Sequence, residues 1–372
     1  MTQRERILAV YRGETPDTVP FMLDLSHWFY HKNRLPWDIS VAYEEPEYEL
    51  IDYHRKKGVG FYLPNLGSFF RAEYGPDVKV ETMKHPSGDR ITWRFTTPSG
   101  SIERTRFWEE VSYSWAIADW GVKTEQDMRV LGEAMGGRKF ALRPDRYEAW
   151  VKEVGDLGVV YLNMGYSAMG YLLNYWMGTE ETAFAAMDYP EAMHAVVDQI
   201  NESNLRLVDE FAKSPTEVIL MGDNLSSDVQ PPHFFREWSH PYYAEAIRRF
   251  HAAGKKVALH IDGRLRGAIQ MVRDTGADCG DAITPQPLMN DLSAQECRDE
   301  AGKQFILSGG VPPGLWLPNV DVADFKKAVM DWLELRKQSP ALIANAGDQV
   351  PPNAVEDRIE IMRDMVEKYG RY

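Results

Sequence analysis

Short apolar segments rich in β-branched residues recur along the chain, and most are followed by residues with the spacing of an amphipathic helix. This alternation predicts parallel strands joined by crossover helices. The predicted strands are residues 19–24, 59–63, 159–164, 218–223, 256–260, 277–283, 304–309 and 341–346. Eight such strands favour an α/β fold, a single (β/α)8 TIM barrel.

Two helices have clear boundaries in the sequence. Residues 190–211 place apolar residues such as Val196, Ile200 and Leu207 at helical spacing, and this face should pack on the barrel. Residues 233–253 follow Pro231-Pro232 and end before Gly254, which is typical of a helix start and stop. We therefore predict one continuous helix leading into the strand that ends at His260.

One region departs from the barrel pattern. Residues 78–84, 90–96 and 101–107 alternate like antiparallel strands, and Gly88 and Gly100 lie in the turn sequences between them. They predict a β meander inserted after the second barrel strand, at about residues 75–110. No internal repeat or long linker divides the chain, so residues 1–372 are predicted to form one domain with this insertion.

Composition excludes several classes of function. The chain has 372 residues and a formal net charge of −14, without a basic stripe for nucleic acid. No segment approaches the ~18 apolar residues of a membrane span, and the N-terminus is a charged helix start, so we expect a cytoplasmic protein. The two cysteines, Cys279 and Cys297, lie in different predicted elements and suggest neither a disulfide framework nor a thiolate metal site.

Polar residues follow several predicted strands, which is where functional groups collect in a TIM barrel. The strand ends carry Asp24, Asp223-Asn224, His260-Ile261-Asp262 and Asn345-Ala346-Gly347-Asp348-Gln349, and strand six contains Asp281. His260 and Asp262 stand at alternate positions, so their side chains should point the same way. These residues predict an active site at the ends of successive strands.

The chemistry of this cluster allows two interpretations. His260, Asp262 and Asp348 would supply one imidazole and two carboxylates, a donor set suited to Zn²⁺, Fe²⁺ or Mn²⁺. Without a metal, the same groups could form an acid–base cluster. Any single residue could instead be structural, since aspartates at strand ends often cap the next helix and Asp223 could bind backbone amides of its own loop.

Loop residues supply candidates for substrate binding. His27 and Trp28 begin an aromatic stretch that would suit a flat apolar ligand, although they could also pack the rim of the barrel. Tyr166 follows strand three in a glycine-containing turn, and Asn224 follows Asp223 at the predicted barrel mouth. We predict that these four residues contact the substrate.

Taken in order and at their separations, several stretches resemble the uroporphyrinogen decarboxylase superfamily. They are residues 4–9 and 13–21, Pro241-Tyr242-Tyr243, residues 254–257 before His260, Gly276-Ala277-Asp278, Ser308-Gly309-Gly310-Val311 and the helix of residues 356–370. The resemblance spans nearly the whole chain. It covers both the decarboxylase of haem biosynthesis and zinc-dependent methyltransferases that serve corrinoid proteins.

The resemblance is nearer to the methyltransferase branch. The decarboxylase branch has arginines after strand one, where residues 22–28 here offer aspartate, histidine and tryptophan. The methyltransferases hold zinc with His-x-Cys-Gly after strand five and a cysteine after strand eight. Here the first motif reads His260-Ile261-Asp262-Gly263, and the second cysteine's place falls near Asp348.

The resemblance implies methyl transfer from a small donor, such as a methoxylated aromatic, to cobalamin on a separate corrinoid protein. Zinc held by His260, Asp262 and Asp348 would stabilise the leaving oxygen in this O-demethylation, and Asp223 would serve as proton donor or ligand. The expected partners are the methyl donor and the corrinoid protein, and a homodimer is left open.

Two other functions remain as alternatives. A metal-free decarboxylase or lyase could act on another carboxylate and use Asp223 and His260 to handle protons. A non-catalytic module that binds a corrinoid or tetrapyrrole is the third. The barrel fold cannot choose among them, because one fold supports many chemistries.

Overall fold

Short strands, most of them parallel, form the framework of the structure. The computed structural model describes residues 1–41, 43–64, 69–286 and 291–372. Within these residues the strands are β1 (Met22–Leu23), β2 (Gly60–Phe61), β3 (Phe70–Glu73), β4 (Lys79–Lys84), β5 (Arg90–Thr97), β6 (Gly100–Glu109), β7 (Ser114–Asp119), β8 (Lys139–Leu142), β9 (Leu162–Asn163), β10 (Val218–Leu225), β11 (Lys256–Ile261), β12 (Cys279–Ile283), β13 (Ile306–Gly310) and β14 (Leu342–Asn345).

Helices separate most of the parallel strands. In the same residues they are α1 (Gln3–Tyr11), α2 (Ser26–Asn33), α3 (Tyr48–Lys57), α4 (Glu125–Gly136), α5 (Pro144–Val154), α6 (Ala168–Tyr171), α7 (Thr179–Asp188), α8 (Pro190–Ala212), α9 (Pro232–Trp238), α10 (His240–Ala252), α11 (Ala268–Asp274), α12 (Ala294–Ala301), α13 (Val322–Glu334) and α14 (Asp357–Tyr369). A π-helical segment, Leu172–Trp176, follows α6 directly. None of the described helices is long and apolar enough to cross a membrane.

The parallel strands follow the predicted order. Strands β9 to β14 form one sheet in which chain neighbours pair, and β1 pairs with β2. Isolated parallel bridges join Phe21 to Ala344 in β14 and Phe61 to Gly158, just before β9. The predicted α/β arrangement is confirmed, whereas closure of all eight strands into a barrel stays a prediction.

An antiparallel sheet interrupts the parallel pattern between β2 and β9. Strands β4, β5, β6 and β7 pair in chain order, and the smaller antiparallel pair β3–β8 flanks them in the sequence. The three predicted strands correspond to β4, β5 and β6, and β7 is an addition that the sequence did not predict. The sheet packs on α4, and Phe95 stacks on Trp176 with ring centroids 4.9 Å apart. It is therefore fastened to the helices around β9 and β10.

The predicted helix of residues 233–253 is wrong in one respect, since it is two helices. Helix α9 ends at Trp238, and α10 begins at His240. Pro241 has no N–H to donate to the carbonyl four residues earlier, and its ring collides with that carbonyl. The proline consequently ends one helix and lies in the first turn of the next.

Candidate functional site

A cavity of about 270 Å³ lies at the carboxyl-terminal ends of the parallel strands. This is where ligands bind in parallel α/β folds. Its lining consists of Asp24, Tyr62, Leu63, Asn163, Tyr166, Leu220, Gly222, Asn224, His260, Asp262, Ala282, Asn345, Asp348 and Gln349. Because most of these side chains are polar and several are carboxylates, the cavity suits chemistry on a small polar molecule.

The structure brings three predicted residues to one part of this lining. His260 lies near the end of β11, Asp262 follows the strand at the alternate position, and Asp348 follows β14. Among the described residues, neither the His260 ring nor the Asp262 carboxylate has a hydrogen-bond partner in the protein. Both are therefore available to a ligand.

Asp348 has a perturbed acidity. Burial, together with the negative charges of Asp262 and Asp24, raises the pKa of this half-buried carboxyl to about 6. The neighbouring His260 and the backbone N–H of Gln349 oppose the rise. A carboxyl with this pKa can hold a proton near neutral pH and release it, as a general acid must.

A second carboxyl lies beneath the cavity. Asp281 in β12 is buried, lies opposite His260 in the register of β11 with β12, and accepts a hydrogen bond from the hydroxyl of Tyr62. Burial raises the pKa of Asp281, while His260, Ser308 and Tyr62 oppose the rise. Tyr62 thus connects the cavity to a carboxyl that has no contact with solvent.

Asp24 and Gln349 also line the cavity, close to Asp348. The Gln349 amide donates to Asp24 at 3.2 Å, and the backbone N–H of Ser26 donates to the same carboxylate at 3.0 Å. Asp24 is therefore held in place by hydrogen bonds, in contrast to the free side chains of His260 and Asp262.

Two of the predicted substrate-binding residues, Tyr166 and Asn224, line the cavity. Asn224 takes a left-handed backbone conformation, with φ of 49°, at an irregularity in the pairing of β10 with β11. A short polar side chain tolerates this conformation better than most residues. The irregularity helps to place its amide at the cavity.

Asp223, predicted as a catalytic residue, does not line the cavity. Its carboxylate is buried and accepts hydrogen bonds from the backbone N–H of Ser167, at 2.6 Å, and from the Ser167 hydroxyl. Burial raises the pKa of Asp223, and the bonds from Ser167 lower it. In this position Asp223 fixes the loop that begins α6. It thus has the structural role that the sequence also allowed, which is to bind backbone amides of a loop.

His27 and Trp28 also lie outside the cavity. The His27 Nε2 atom is 2.8 Å from the carbonyl oxygen of Ser112, and burial lowers the pKa of the imidazole. Trp28 is buried, and its indole N–H donates to the carbonyl of Ala354 at 3.2 Å. Both side chains pack the rim, because α2 begins at Ser26 and turns them away from the strand ends.

The sequence analysis missed two lining residues. Tyr62 follows β2, and Asn163 is the last residue of β9, where its side chain accepts a hydrogen bond from the backbone N–H of Gly165 at 2.7 Å. Both lie at the ends of predicted strands. Each is the next-to-last residue of its predicted strand, whereas Asp24 and His260 are the last residues of theirs. A search limited to the last residue and the loop after it therefore passed over Tyr62 and Asn163.

The three predicted metal ligands do not form an assembled site. Within residues 1–41, 43–64, 69–286 and 291–372, no three His, Cys, Asp or Glu side chains are grouped so that they could hold an ion. The donor chemistry of His260, Asp262 and Asp348 nevertheless suits Zn²⁺, and two of the three side chains are free of hydrogen bonds. Binding an ion would require these side chains to move closer together.

The strand ends and their cavity define an α/β fold of the kind that many enzymes use. The chain belongs to the uroporphyrinogen decarboxylase family, whose sequence pattern matches residues 164–369. The match includes His260, Asp262 and Asp348 and excludes the inserted sheet.

Solved structures agree on the fold. A methyltransferase from Methanosarcina mazei matches 99% of this chain and 99% of its own, with 13% sequence identity and a TM-score of 0.63. A muconate lactonizing enzyme from Pseudomonas putida covers 82% of this chain and 78% of its own, at 11% identity, but its TM-score of 0.29 is too low to support an argument. No curated protein sequence matches the chain.

Proposed function

We propose that this protein is a methyltransferase that takes a methyl group from a small methyl donor, such as a methoxylated aromatic, and passes it to a corrinoid protein. The family membership and the shared fold with a methyltransferase support this class of reaction. The eight parallel strands would close into a TIM barrel, which the bridges at Phe21 and Phe61 support.

The observation that carries the proposal is the cavity of small-molecule size at the strand ends, which Asp348 lines together with His260 and Asp262. When an aryl methyl ether loses its methyl group, the carbon–oxygen bond breaks and its electron pair stays on the oxygen. The reduced cobalt of the corrinoid supplies the pair for the new bond to carbon. Asp348, whose pKa is raised to about 6, would protonate the oxygen.

The remaining cavity residues would orient the donor. Tyr166 offers an aromatic face, and Asn224 offers an amide that can bind a ring substituent. His260 lies close enough to Asp348 to lower its pKa and would relay a proton from solvent back to Asp348 after each transfer. In this proposal Asp348 replaces Asp223 as the proton donor.

A zinc ion would take over the role of Asp348 as the acid, because a carboxyl that binds a metal is ionised and has no proton to donate. His260, Asp262 and Asp348 would be its ligands, and Zn²⁺ supplies Lewis acidity that polarises a bound oxygen. Metal analysis of purified wild-type and His260→Ala protein tests this part. Absence of metal from both proteins after growth with zinc would contradict it.

Methyl transfer can be measured with free cob(I)alamin as acceptor and a panel of methoxybenzenes as donors. Methylation changes the visible spectrum of the cobalamin, so the rate is read directly. We expect Asp348→Asn to lower the rate by about 10²–10⁴-fold, the range of general acid catalysis. Asp77→Asn, an exposed substitution in the turn before β4, should match the wild type. An Asp348→Asn protein as fast as the wild type would refute the proposal.

A decarboxylase is the second candidate, because the same pair of Asp348 and His260 could protonate the carbanion left when CO₂ departs. Release of CO₂ from a carboxylate substrate without any corrinoid would favour this function. Methyl transfer without CO₂ release would exclude it for that substrate.

A further inference from the structure

Two arginines on the inserted sheet lack carboxylate partners. Arg104 and Arg106 project from the same side of β6, and neither forms an ion pair with an acidic residue in the described part of the chain. Arg104 is only 8% exposed, and its Nε and Nη1 atoms have no hydrogen-bond partner. The Nε atom of Arg106 is also buried without a partner.

Acidic partners are plentiful in the chain, which contains 56 acidic and 42 basic residues. Among the described residues the buried Arg298 and Arg358 also form no ion pair, but each donates to backbone carbonyls. Arg94, on the neighbouring strand β5, pairs with Glu103. Burying a charge without a counter-ion is unfavourable, so a cation that remains unpaired calls for an explanation.

Aromatic rings surround the two guanidinium groups. Arg104 lies 4.2 Å from the ring centroid of Trp93 and 4.8 Å from that of Tyr175, and Arg106 is also 4.8 Å from Tyr175. Such cation–π contacts stabilise a cation but do not neutralise its charge. Arg106 also donates to the backbone carbonyl of Trp115 at 3.2 Å, and that bond leaves the charge unpaired as well. The positive charge next to Tyr175 is therefore not neutralised within the described residues.

This charged cluster is one aromatic layer away from the cavity. Tyr175 packs against Tyr166 with ring centroids 4.8 Å apart, and Tyr166 lines the cavity. Arg106 is half-buried and donates to the backbone carbonyl of Asn174 at 3.4 Å, and the Asn174 amide donates to the carbonyl of Asp223, the residue before Asn224. The charge of Arg106 also opposes the rise that burial causes in the pKa of Tyr166.

We infer that Arg106, with Arg104 behind it, binds an anionic group of the methyl donor, which is a carboxylate on an aromatic ring that lies against Tyr166 and Tyr175. The inference rests on the proposed function and specifies its substrate class. A planar guanidinium suits a carboxylate, and the faces of the two tyrosines suit an aromatic ring. Asp24, Asp262 and Asp348 would repel the carboxylate from the other side of the cavity, so the donor binds in one orientation.

The inserted sheet therefore has a role in specificity. The family pattern matches residues 164–369 and does not include the strand that carries Arg104 and Arg106. Selection of an anionic donor would thus be a property that this insertion adds to the strand-end cavity. The contrary interpretation is that the arginines only fasten the sheet to the π-helical segment through cation–π contacts.

Binding measurements without a corrinoid separate these interpretations. Isothermal titration calorimetry would compare 4-methoxybenzoate with its neutral analogue 4-methoxybenzyl alcohol. We expect the wild type to bind the anion at least about tenfold more tightly, and added salt to weaken only the anion. Equal affinity for the two compounds, or no binding of 4-methoxybenzoate at millimolar concentration, overturns the inference.

Substitutions of Arg106 test whether this arginine causes the preference for the anionic ligand. Arg106→Gln should remove the preference for the anion, whereas Arg94→Gln, which alters a half-buried and paired arginine on the same sheet, should keep it. If Arg106→Gln does not fold, Arg106→Lys is the variant to measure, because it retains the positive charge. It should keep part of the preference for the anion. If both Arg106 variants fold and bind 4-methoxybenzoate as the wild type does, the arginines only fasten the sheet.

The outcome is distinguishable from a failure of the proposed function. If 4-methoxybenzoate binds through Arg106 but transfers no methyl group to cob(I)alamin, the anion site stands and methyl transfer is wrong. If neutral and anionic ethers are demethylated equally well, methyl transfer stands and the anion site is wrong.

Discussion

Replacing Asp348 by asparagine tests the central claim about the cavity, since it keeps the shape of the side chain and removes its charge. In the folded protein, burial and the nearby charges of Asp262 and Asp24 raise the pKa of Asp348. In the unfolded chain these influences are absent. The native structure therefore holds the ionised carboxylate less well than water does, and the substitution should stabilise the protein at neutral pH.

The size of the effect follows from the shift of the pKa from 3.8 to about 6. At a pH above both values, such a shift corresponds to about 3 kcal/mol of destabilisation by the ionised group. Solvent reaches part of the side chain and reduces this figure, so we expect Asp348→Asn to gain about 1–3 kcal/mol at about pH 7.5.

The pH dependence has a definite sign. Between pH 3.8 and about 6 the folded protein binds more protons than the unfolded chain at this site. The destabilisation by Asp348 is therefore complete above about pH 6 and disappears as the pH falls towards 3.8. The stability difference between the wild type and Asp348→Asn should disappear over the same interval.

Urea denaturation in the presence of a chelator measures this difference, with Asp77→Asn as the exposed control. Groups that do not interact with Asp348 contribute equally to both proteins, so their effects cancel in the comparison. An Asp348→Asn protein that is less stable than the wild type at about pH 7.5 would refute the reasoning. A stability gain that stays constant down to about pH 4 would do so as well.

Two further substitutions test the structural roles assigned to buried positions. Asp223→Ala should lower the free energy of unfolding by about 2–4 kcal/mol, because it leaves the N–H and hydroxyl of Ser167 without an acceptor, and unchanged stability in urea would contradict this role. Gly158→Ala should lower the thermal midpoint, because its Cβ would lie 2.1 Å from the backbone oxygen of Phe61. Gly137→Ala, whose Cβ would meet its nearest atom at 3.9 Å, is the control, and equal midpoints would refute the prediction.

The sequence predicts the parallel strands well because most of their residues are buried on both faces and form short apolar runs. It predicts β7 poorly, since most residues of Ser114–Asp119 are half-buried on either face and show no alternation. Pro241 is a sequence signal for a helix break, but the amphipathic spacing on both sides of this proline suggested one continuous helix.

The sequence predicted the location of the candidate site better than it predicted which residues line the cavity. His260 and Asp262 lie at alternate positions, so one periodicity places both at the cavity. In β10, Leu220, Gly222 and Asn224 face the cavity, and Asp223 faces Ser167. A strand that is apolar on both sides gives no indication of which positions face inward, so the sequence could not separate Asp223 from Asn224.

The strongest argument for a functional cavity is that two features make the fold less stable without improving its packing. Asp348 could be replaced by an uncharged residue, and the raised pKa shows that its charge is unfavourable where it lies. Arg104 is buried with two unpartnered nitrogen atoms, where an apolar side chain would pack at lower cost. The acid lies at one edge of the cavity and the arginines lie behind the Tyr166 edge, so a single ligand with a leaving oxygen at one end and a carboxylate at the other would account for both.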